Sequence, residues 1–157
     1  MSSDKLEVIL KEIEVMASIE SAVARLYSKC AKLFPENSDF WMQLSMEETG
    51  HARVLSELAV LMRKLPHEFH PGKTCAPEAL QNFLSRINAN FEKLDSPAIK
   101  ERDALLMAYH MESTVIERNY TEIVRTDHWG YAEGLEVLAE ASKVHRDKLL
   151  KRMQELK

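Results

Sequence analysis

The sequence predicts an all-α protein, and three observations support this prediction. The 157 residues include only four glycines. Apolar residues recur at intervals of three and four over long stretches, and no long segment alternates apolar and polar residues. The first spacing is typical of amphipathic helices, and strict alternation is typical of strands. We therefore expect helices along the chain and no strands.

Proline, glycine and capping residues set the expected helix boundaries. Four long helices and one short helix are predicted at about residues 4–34, 38–64, 77–93, 97–126 and 131–155. Short turns make the first two long helices, and likewise the last two, into antiparallel hairpins. The sequence thus predicts a single domain over residues 1–157. Its fold would be an antiparallel four-helix bundle, with a long crossover carrying the short extra helix between long helices two and three.

Composition and charge narrow the class of function. Apolar residues make up 45% of the chain and charged residues 29%, and the net charge is −4. Lysine and arginine are interspersed with acidic residues, so no basic stripe for nucleic acid is predicted. Residues 1–14 mix charged and apolar positions, unlike a signal peptide or a membrane span. We expect a cytoplasmic protein that binds neither nucleic acid nor membrane.

The two cysteines, Cys30 and Cys75, do not have the paired spacing of a thiolate metal site. Cys30 falls on the apolar stripe of the first helix, which predicts a buried residue that packs as a small hydrophobic side chain. Both cysteines are expected to be reduced thiols.

Five polar residues occupy positions on the apolar stripes where apolar residues are expected. They are Glu20, Glu48, His51, Glu112 and His145. Glu48 and His51 are three residues apart and share one helix face, so both side chains point toward the core. A buried carboxylate costs free energy unless its charge is compensated. Carboxylates combined with imidazoles suit iron or manganese, with zinc as an alternative. The pattern therefore predicts a buried metal site.

Taken singly, a glutamate in the middle of a helix is usually solvated. The coincidence of five such residues at matching depth favours a metal site instead. Glu47 adjoins the motif, but its side chain is displaced by about 100° around the helix, so we expect it to flank the site. Surface positions are expected for Glu117, Glu140, His67 and His70.

The two hairpins have similar spacing between their polar residues. On this alignment a second glutamate matching Glu48 is expected at position 142, where the chain has Ser142. With three carboxylates instead of four, two divalent ions lack one balancing charge. A serine also leaves room for a water molecule. We expect the second metal position to be weakened or more open, or a single ion to be held.

At these residues the chain resembles the rubrerythrin branch of the ferritin-like superfamily, over about residues 6–155. Residues 20–27, ESAVARLY, are similar to the first-helix motif, in which a ligand glutamate precedes a tyrosine by seven residues. Residues 48–52, ETGHA, are similar to the second-helix Glu-x-x-His-Ala motif. Residues 111–120 are similar to the third-helix ligand segment, and His145 stands at the fourth-helix histidine position.

The chain also departs from the family pattern. Ser142 replaces the fourth-helix glutamate, and Val115 stands where rubrerythrins often have a further glutamate. The cysteines are too few for a rubredoxin centre. Tyr27 either donates a hydrogen bond to a ligand carboxylate or packs in the core.

The resemblance implies a di-iron carboxylate centre. Glu48 would bridge two ions, Glu20 and Glu112 would be terminal carboxylate ligands, and the imidazoles of His51 and His145 would complete the set. It further implies an oxidoreductase that reacts with peroxide or dioxygen, receives electrons from a separate donor, and forms a homodimer or larger homo-oligomer. Two alternatives stay open. One is iron storage or sequestration, and the other is a degenerate bundle that acts as a structural or interaction module.

Overall fold

The computed structural model of the protein describes residues 3–73, 77–114, 120–126 and 128–156. Helices dominate these residues, as the all-α prediction requires. In chain order the elements are α1 (Ser3–Leu33), α2 (Ser38–Lys64), β1 (Phe69–Pro71), α3 (Pro77–Lys93), α4 (Glu101–Glu112), α5 (Tyr120–Ile123), β2 (Val124–Thr126) and α6 (Trp129–Glu155). Among the helices of these residues, none is long and apolar enough to cross a membrane.

Helices α1 and α2 form the antiparallel hairpin predicted from the sequence. Pro35 ends the first helix and starts a single 3-10 turn that leads into the second. Near the middle of the hairpin, Ser45 Oγ donates a hydrogen bond to the Ala24 carbonyl oxygen at 2.8 Å. At the other end, Arg63 forms an ion pair with Glu14. Because the serine side chain is short, its bond to the opposite backbone shows that the two helices lie close together.

The core lies between this hairpin and the helices that follow it, and all of them contribute buried apolar residues. Its largest fully buried side chains include Trp41, Tyr27, Phe69, Ile9, Leu10, Ile13, Met16, Ile19, Leu26, Leu44, Leu55 and Leu58. Cys30 is also fully buried, as predicted, and burial, with a further contribution from the Glu101 carboxylate, raises the pKa of its thiol to about 12. Cys75 lies outside the described residues.

The structure contradicts the prediction of one long helix over residues 97–126. Helix α4 begins at Glu101, because Lys100 is extended and its N–H donates to Asp103 Oδ2 at 3.1 Å. A carboxylate bound to the backbone N–H at this position is typical of a helix N-terminus. The helix ends at Glu112. The stripe positions expected farther along the same helix, Val115, Ile116 and Asn119, lie outside the described residues.

The expectation of no strands is also wrong. Strands β1 and β2 form an antiparallel ribbon in which Phe69 lies opposite Thr126, and Pro71 lies opposite Val124. The sequence predicted a loop at β1 and the end of a helix at β2. Strands of three residues are too short to show alternation, although the β-branched residues of β2 suit an extended backbone. Phe69 is fully buried, so the ribbon is anchored in the core.

Two contacts fix the later helices against α2. At the start of α4, Glu101 accepts hydrogen bonds from Trp41 Nε1 at 2.9 Å and from Asn37 Nδ2 at 2.6 Å. Helix α6 begins at Trp129 rather than near residue 131, and Gly134 lies beside Val54. These contacts place the start of α4 and the first turns of α6 beside the first hairpin.

The ribbon gives a direct test of the corrected fold. Gly72 follows β1, and a Cβ at this position would lie 1.8 Å from the carbonyl oxygen of Glu122. Because backbone atoms cannot move aside as a flexible side chain can, we expect Gly72→Ala to lower the free energy of unfolding by about 1–3 kcal/mol. Chemical denaturation would measure this loss.

Gly50→Ala is the matched control, since a Cβ at Gly50 meets nothing within 4 Å. Alanine in a helix interior is favoured over glycine by about 0.5–1 kcal/mol, so this variant should be slightly more stable than the wild type. The ribbon geometry would be wrong if Gly72→Ala unfolded at the same denaturant concentration as Gly50→Ala.

Candidate metal centre

The five polar residues that interrupt the apolar stripes meet at one buried place. They form two overlapping groups, one of Glu20, Glu48 and His51 and the other of Glu48, Glu112 and His145. In each group, one potential ligand atom from every residue lies within 4.8 Å of the others. Glu48 belongs to both groups, so it is the centre of the arrangement.

Four helices supply these side chains, and each does so from its buried face. Glu20 comes from α1, Glu48 and His51 come from α2, Glu112 is the last residue of α4, and His145 lies in the middle of α6. The three glutamates and His145 are 2–3% exposed. The His51 side chain is 16% exposed, so the centre lies closest to solvent at this residue.

The distances around Glu48 show that its two oxygens face different histidines. Its Oε2 lies 2.9 Å from His51 Nδ1. Its Oε1 lies 2.6 Å from His145 Nδ1, which is also 3.4 Å from Glu112 Oε1. The two imidazole rings stack with centroids 5.6 Å apart. One carboxylate is thus placed between two imidazoles, with a further carboxylate beside each of them.

The contact between His145 Nδ1 and Glu48 Oε1 is close but does not have the angle of a hydrogen bond. A buried nitrogen normally has a hydrogen-bond partner. In this position the nitrogen and one oxygen from each of Glu48 and Glu112 lie within 4.8 Å of one another, close enough to be ligands of one cation. The donor set therefore has the chemistry and the arrangement that could hold a metal ion.

The charges of the centre shift the pKa values of its members. Burial opposes ionisation of Glu48, but contacts with His145, His51 and the Glu20 carboxyl outweigh it and hold the pKa of Glu48 well below its usual range. Burial raises the pKa of Glu112 despite the neighbouring His145. Burial alone would lower the pKa of His145, but the Glu112 and Glu48 carboxylates raise it to about 11. Without a metal ion, the two carboxylates therefore favour the protonated form of His145.

Tyr27 and Ser142 differ in their relation to the centre. The Tyr27 hydroxyl donates to Glu112 Oε1 at 2.7 Å, and its ring is fully buried. Both roles left open for Tyr27, core packing and a bond to a candidate ligand, are therefore observed. Ser142 is buried on α6 one turn before His145 and supplies no carboxylate to the centre.

Glu47 flanks the centre and belongs to neither donor group, but it also bonds to His145, which the sequence did not predict. Its Oε2 accepts a hydrogen bond from His145 Nε2 at 2.6 Å, and Lys148 Nζ lies 2.9 and 3.0 Å from its two oxygens. Burial opposes ionisation of Glu47, but hydrogen bonds from Lys148, Gln43 and His145 lower its pKa. The side chain does point away from Glu48 around the helix, but α6 lies on that side. Lys148, one turn after His145, was the signal in the sequence that a carboxylate would be near.

The remaining candidates lie away from the centre. Glu140 is exposed and pairs with Lys143 on the surface of α6. His67 and His70 are exposed and belong to neither donor group. Glu117 lies outside the described residues. The exposed positions predicted for Glu140, His67 and His70 are therefore confirmed.

No family model, curated protein or solved structure matches this chain. The resemblance to rubrerythrins thus depends on the motif residues themselves. The evidence for a function is therefore the geometry, the burial and the charge of the side chains around Glu48.

The hydrogen bond from Tyr27 predicts a measurable contribution to stability. Tyr27→Phe would remove the donor to the buried Glu112 carboxyl group, so we expect the free energy of unfolding to fall by about 1–3 kcal/mol. Denaturant titration in the presence of a chelator would measure the loss. Tyr109→Phe is the control, since the Tyr109 hydroxyl has no hydrogen-bond partner in the described part of the chain. Equal losses in the two variants would contradict a specific role for the Tyr27 bond.

Proposed function

We propose that the protein is a ferritin-like, non-haem iron protein that reacts with peroxide or dioxygen, as the resemblance to rubrerythrins implies. The observation that carries this proposal is the position of Glu48. It belongs to two buried donor groups, each with two carboxylates and one imidazole, and its two oxygens face different histidines. Such a residue is suited to bridge two metal ions.

The balance of charge supports a bound cation. Three carboxylates lie within a centre that is almost completely buried, and buried charges need compensation. In the described part of the chain, no lysine or arginine pairs with Glu48 or Glu112. A protonated His145 can balance only one of the three. One or two metal ions would compensate the rest and would accept His145 Nδ1 as a neutral ligand.

The donor set indicates the class of metal. Mixed carboxylate and imidazole ligands suit iron or manganese, with zinc as an alternative. Each position would have three protein ligands, which leaves further sites for water or a small substrate. When bound, iron would supply the redox chemistry with peroxide or dioxygen. The residues of the chain hold the ligands in place, since Tyr27 fixes Glu112 and the surrounding core excludes bulk water.

The partners follow from this proposal. A small molecule such as peroxide would enter beside His51, where the centre lies closest to solvent. The electrons would come from a donor outside these 157 residues, because their two cysteines cannot form a four-thiolate centre. The antiparallel arrangement of α1 with α2, and of α6 with α2, agrees with a ferritin-like bundle. We propose that this bundle assembles as a homodimer or larger homo-oligomer.

One observation favours the alternative of a metal-free structural module. His145 pairs with Glu48 and also bonds to Glu47, which is balanced by Lys148. This network compensates part of the negative charge without a metal ion. Only the iron-protein proposal requires tight, stoichiometric binding of a metal. Metal binding therefore distinguishes it from the structural module.

Metal binding should depend on the carboxylate shared by both donor groups. Anaerobic equilibrium dialysis against ferrous iron should give one or two ions per chain for the wild type. Glu48→Gln should lose binding at both positions, because a neutral amide cannot bridge two cations. Wild-type protein with iron at about 100 times its Kd should gain about 2.7 kcal/mol of stability over chelator-treated protein.

Glu140→Gln is the matched control, since it removes the same charge from an exposed position of α6 and should bind as the wild type does. The proposal would be wrong if the wild type bound no iron, or if Glu48→Gln bound as many ions as Glu140→Gln. A melting temperature of the wild type that chelation leaves unchanged would support the structural module instead.

Reaction with oxidants is a separate prediction. Stopped-flow mixing of the ferrous protein with peroxide should give a rapid absorbance change that Glu48→Gln lacks and Glu140→Gln retains. If iron is bound but neither peroxide nor dioxygen oxidises it faster than free ferrous iron, the enzymatic part of the proposal is wrong. Assembly into a large shell on size-exclusion chromatography would then favour iron storage.

A further inference from the structure

The two histidines of the centre differ in how their rings are held. His145 has both ring nitrogens engaged, since Nε2 lies 2.6 Å from Glu47 Oε2 and Nδ1 lies 2.6 Å from Glu48 Oε1. His51 contacts Glu48 through Nδ1. Glu20 completes the donor group of His51, and Glu47 bonds to the ring of His145. The His145 ring is therefore held by a carboxylate that belongs to neither donor group.

The difference matters because a neutral imidazole has one N–H and one lone pair. Only the nitrogen with the lone pair can bind a metal ion, and the partner of the other nitrogen decides which one that is. An ionised carboxylate only accepts hydrogen bonds. His145 Nε2 is hydrogen-bonded to Glu47, whereas Nδ1 has no hydrogen bond within the described residues. In a neutral ring the hydrogen therefore lies on Nε2 and the lone pair on Nδ1, which faces Glu48 and Glu112.

Glu47 is itself held in place for this role. Lys148 Nζ lies 2.9 Å from Oε1 and 3.0 Å from Oε2 of Glu47, and Gln43 Nε2 donates to Oε1 at 2.9 Å. Lys148 follows His145 by one turn of α6, and Glu47 adjoins Glu48 on α2. The pair thus joins the two helices directly at the centre and supplies a balancing charge for the added carboxylate.

We propose that Glu47 and Lys148 are positioning residues that fix His145 as a metal ligand through Nδ1, an inference that rests on the proposed metal function. The position formed by Glu48, Glu112 and His145 depends on this pair. The position formed by Glu20, Glu48 and His51 does not. The pair also stabilises the half of the centre that lacks the fourth-helix glutamate, since Ser142 supplies no carboxylate there.

Zinc gives a diamagnetic probe of this inference. Long-range proton–nitrogen correlation spectra of 15N-labelled, zinc-loaded wild type should show a metal-bound Nδ1 and a protonated Nε2 for His145. Signals would be assigned by their loss in His145→Gln. The proposed orientation of His145 is measured on the wild-type protein. The result therefore does not depend on whether a Glu47 variant folds.

Zinc affinity measured by competition with a chelator should then separate the two positions. Glu47→Gln should lower the affinity of one position by about 10- to 100-fold and leave the other unchanged. Lys148→Met should weaken the same position less, because the carboxylate remains. Glu57→Gln is the matched control, since Glu57 is an exposed carboxylate of α2 whose partner is Arg53, and it should bind both ions as the wild type does.

Three results would contradict the inference, and they can be told apart. Binding of zinc through Nε2 of His145 in the wild type would overturn the proposed orientation. Equal affinities of Glu47→Gln and Glu57→Gln at both positions would overturn the positioning role while leaving the metal function intact. Failure of the wild type to bind zinc would overturn the metal function and this inference together.

Discussion

Three carboxylates, those of Glu20, Glu48 and Glu112, are buried together, and the packing of the helices has to accommodate their charge. An apolar interior does not accept concentrated negative charge unless cations and hydrogen bonds compensate it. His145 and the Tyr27 hydroxyl supply part of this compensation. The centre is assembled only when four helices meet, because α1, α2, α4 and α6 each contribute at least one of its residues. Folding and the proposed metal binding are therefore linked.

The contacts outside the centre explain how this convergence is achieved. Ser45 joins α1 and α2 at short range, and Glu101 joins the start of α4 to α2 through Trp41. The Glu47–Lys148 pair does the same for α6. These hydrogen bonds and ion pairs set the positions of the helices, while the apolar residues supply most of the free energy of burial. A change at any of them should alter the donor geometry as well as the stability.

Much of the fold and of the candidate site could be predicted from local sequence. The long amphipathic helices have a clear period, and Glu48 with His51 share a face by spacing alone. The ribbon was missed because three-residue strands have no period, and the end of α4 at Glu112 was missed because the apolar repeat continues past it. The bond between Glu47 and His145 could not be predicted because it depends on how α6 packs against α2. The residue spacing along α2 does not encode this tertiary contact.

A crystal structure of the iron-loaded protein, with anomalous data at the iron edge, would show directly whether the residues around Glu48 form a metal centre. We expect an anomalous peak within ligand distance of Glu48 and His145, of Glu48 and His51, or of both pairs, with Glu48 between the two positions. Peaks confined to surface residues such as His67, or no peak in a crystal grown with iron in excess, would contradict it.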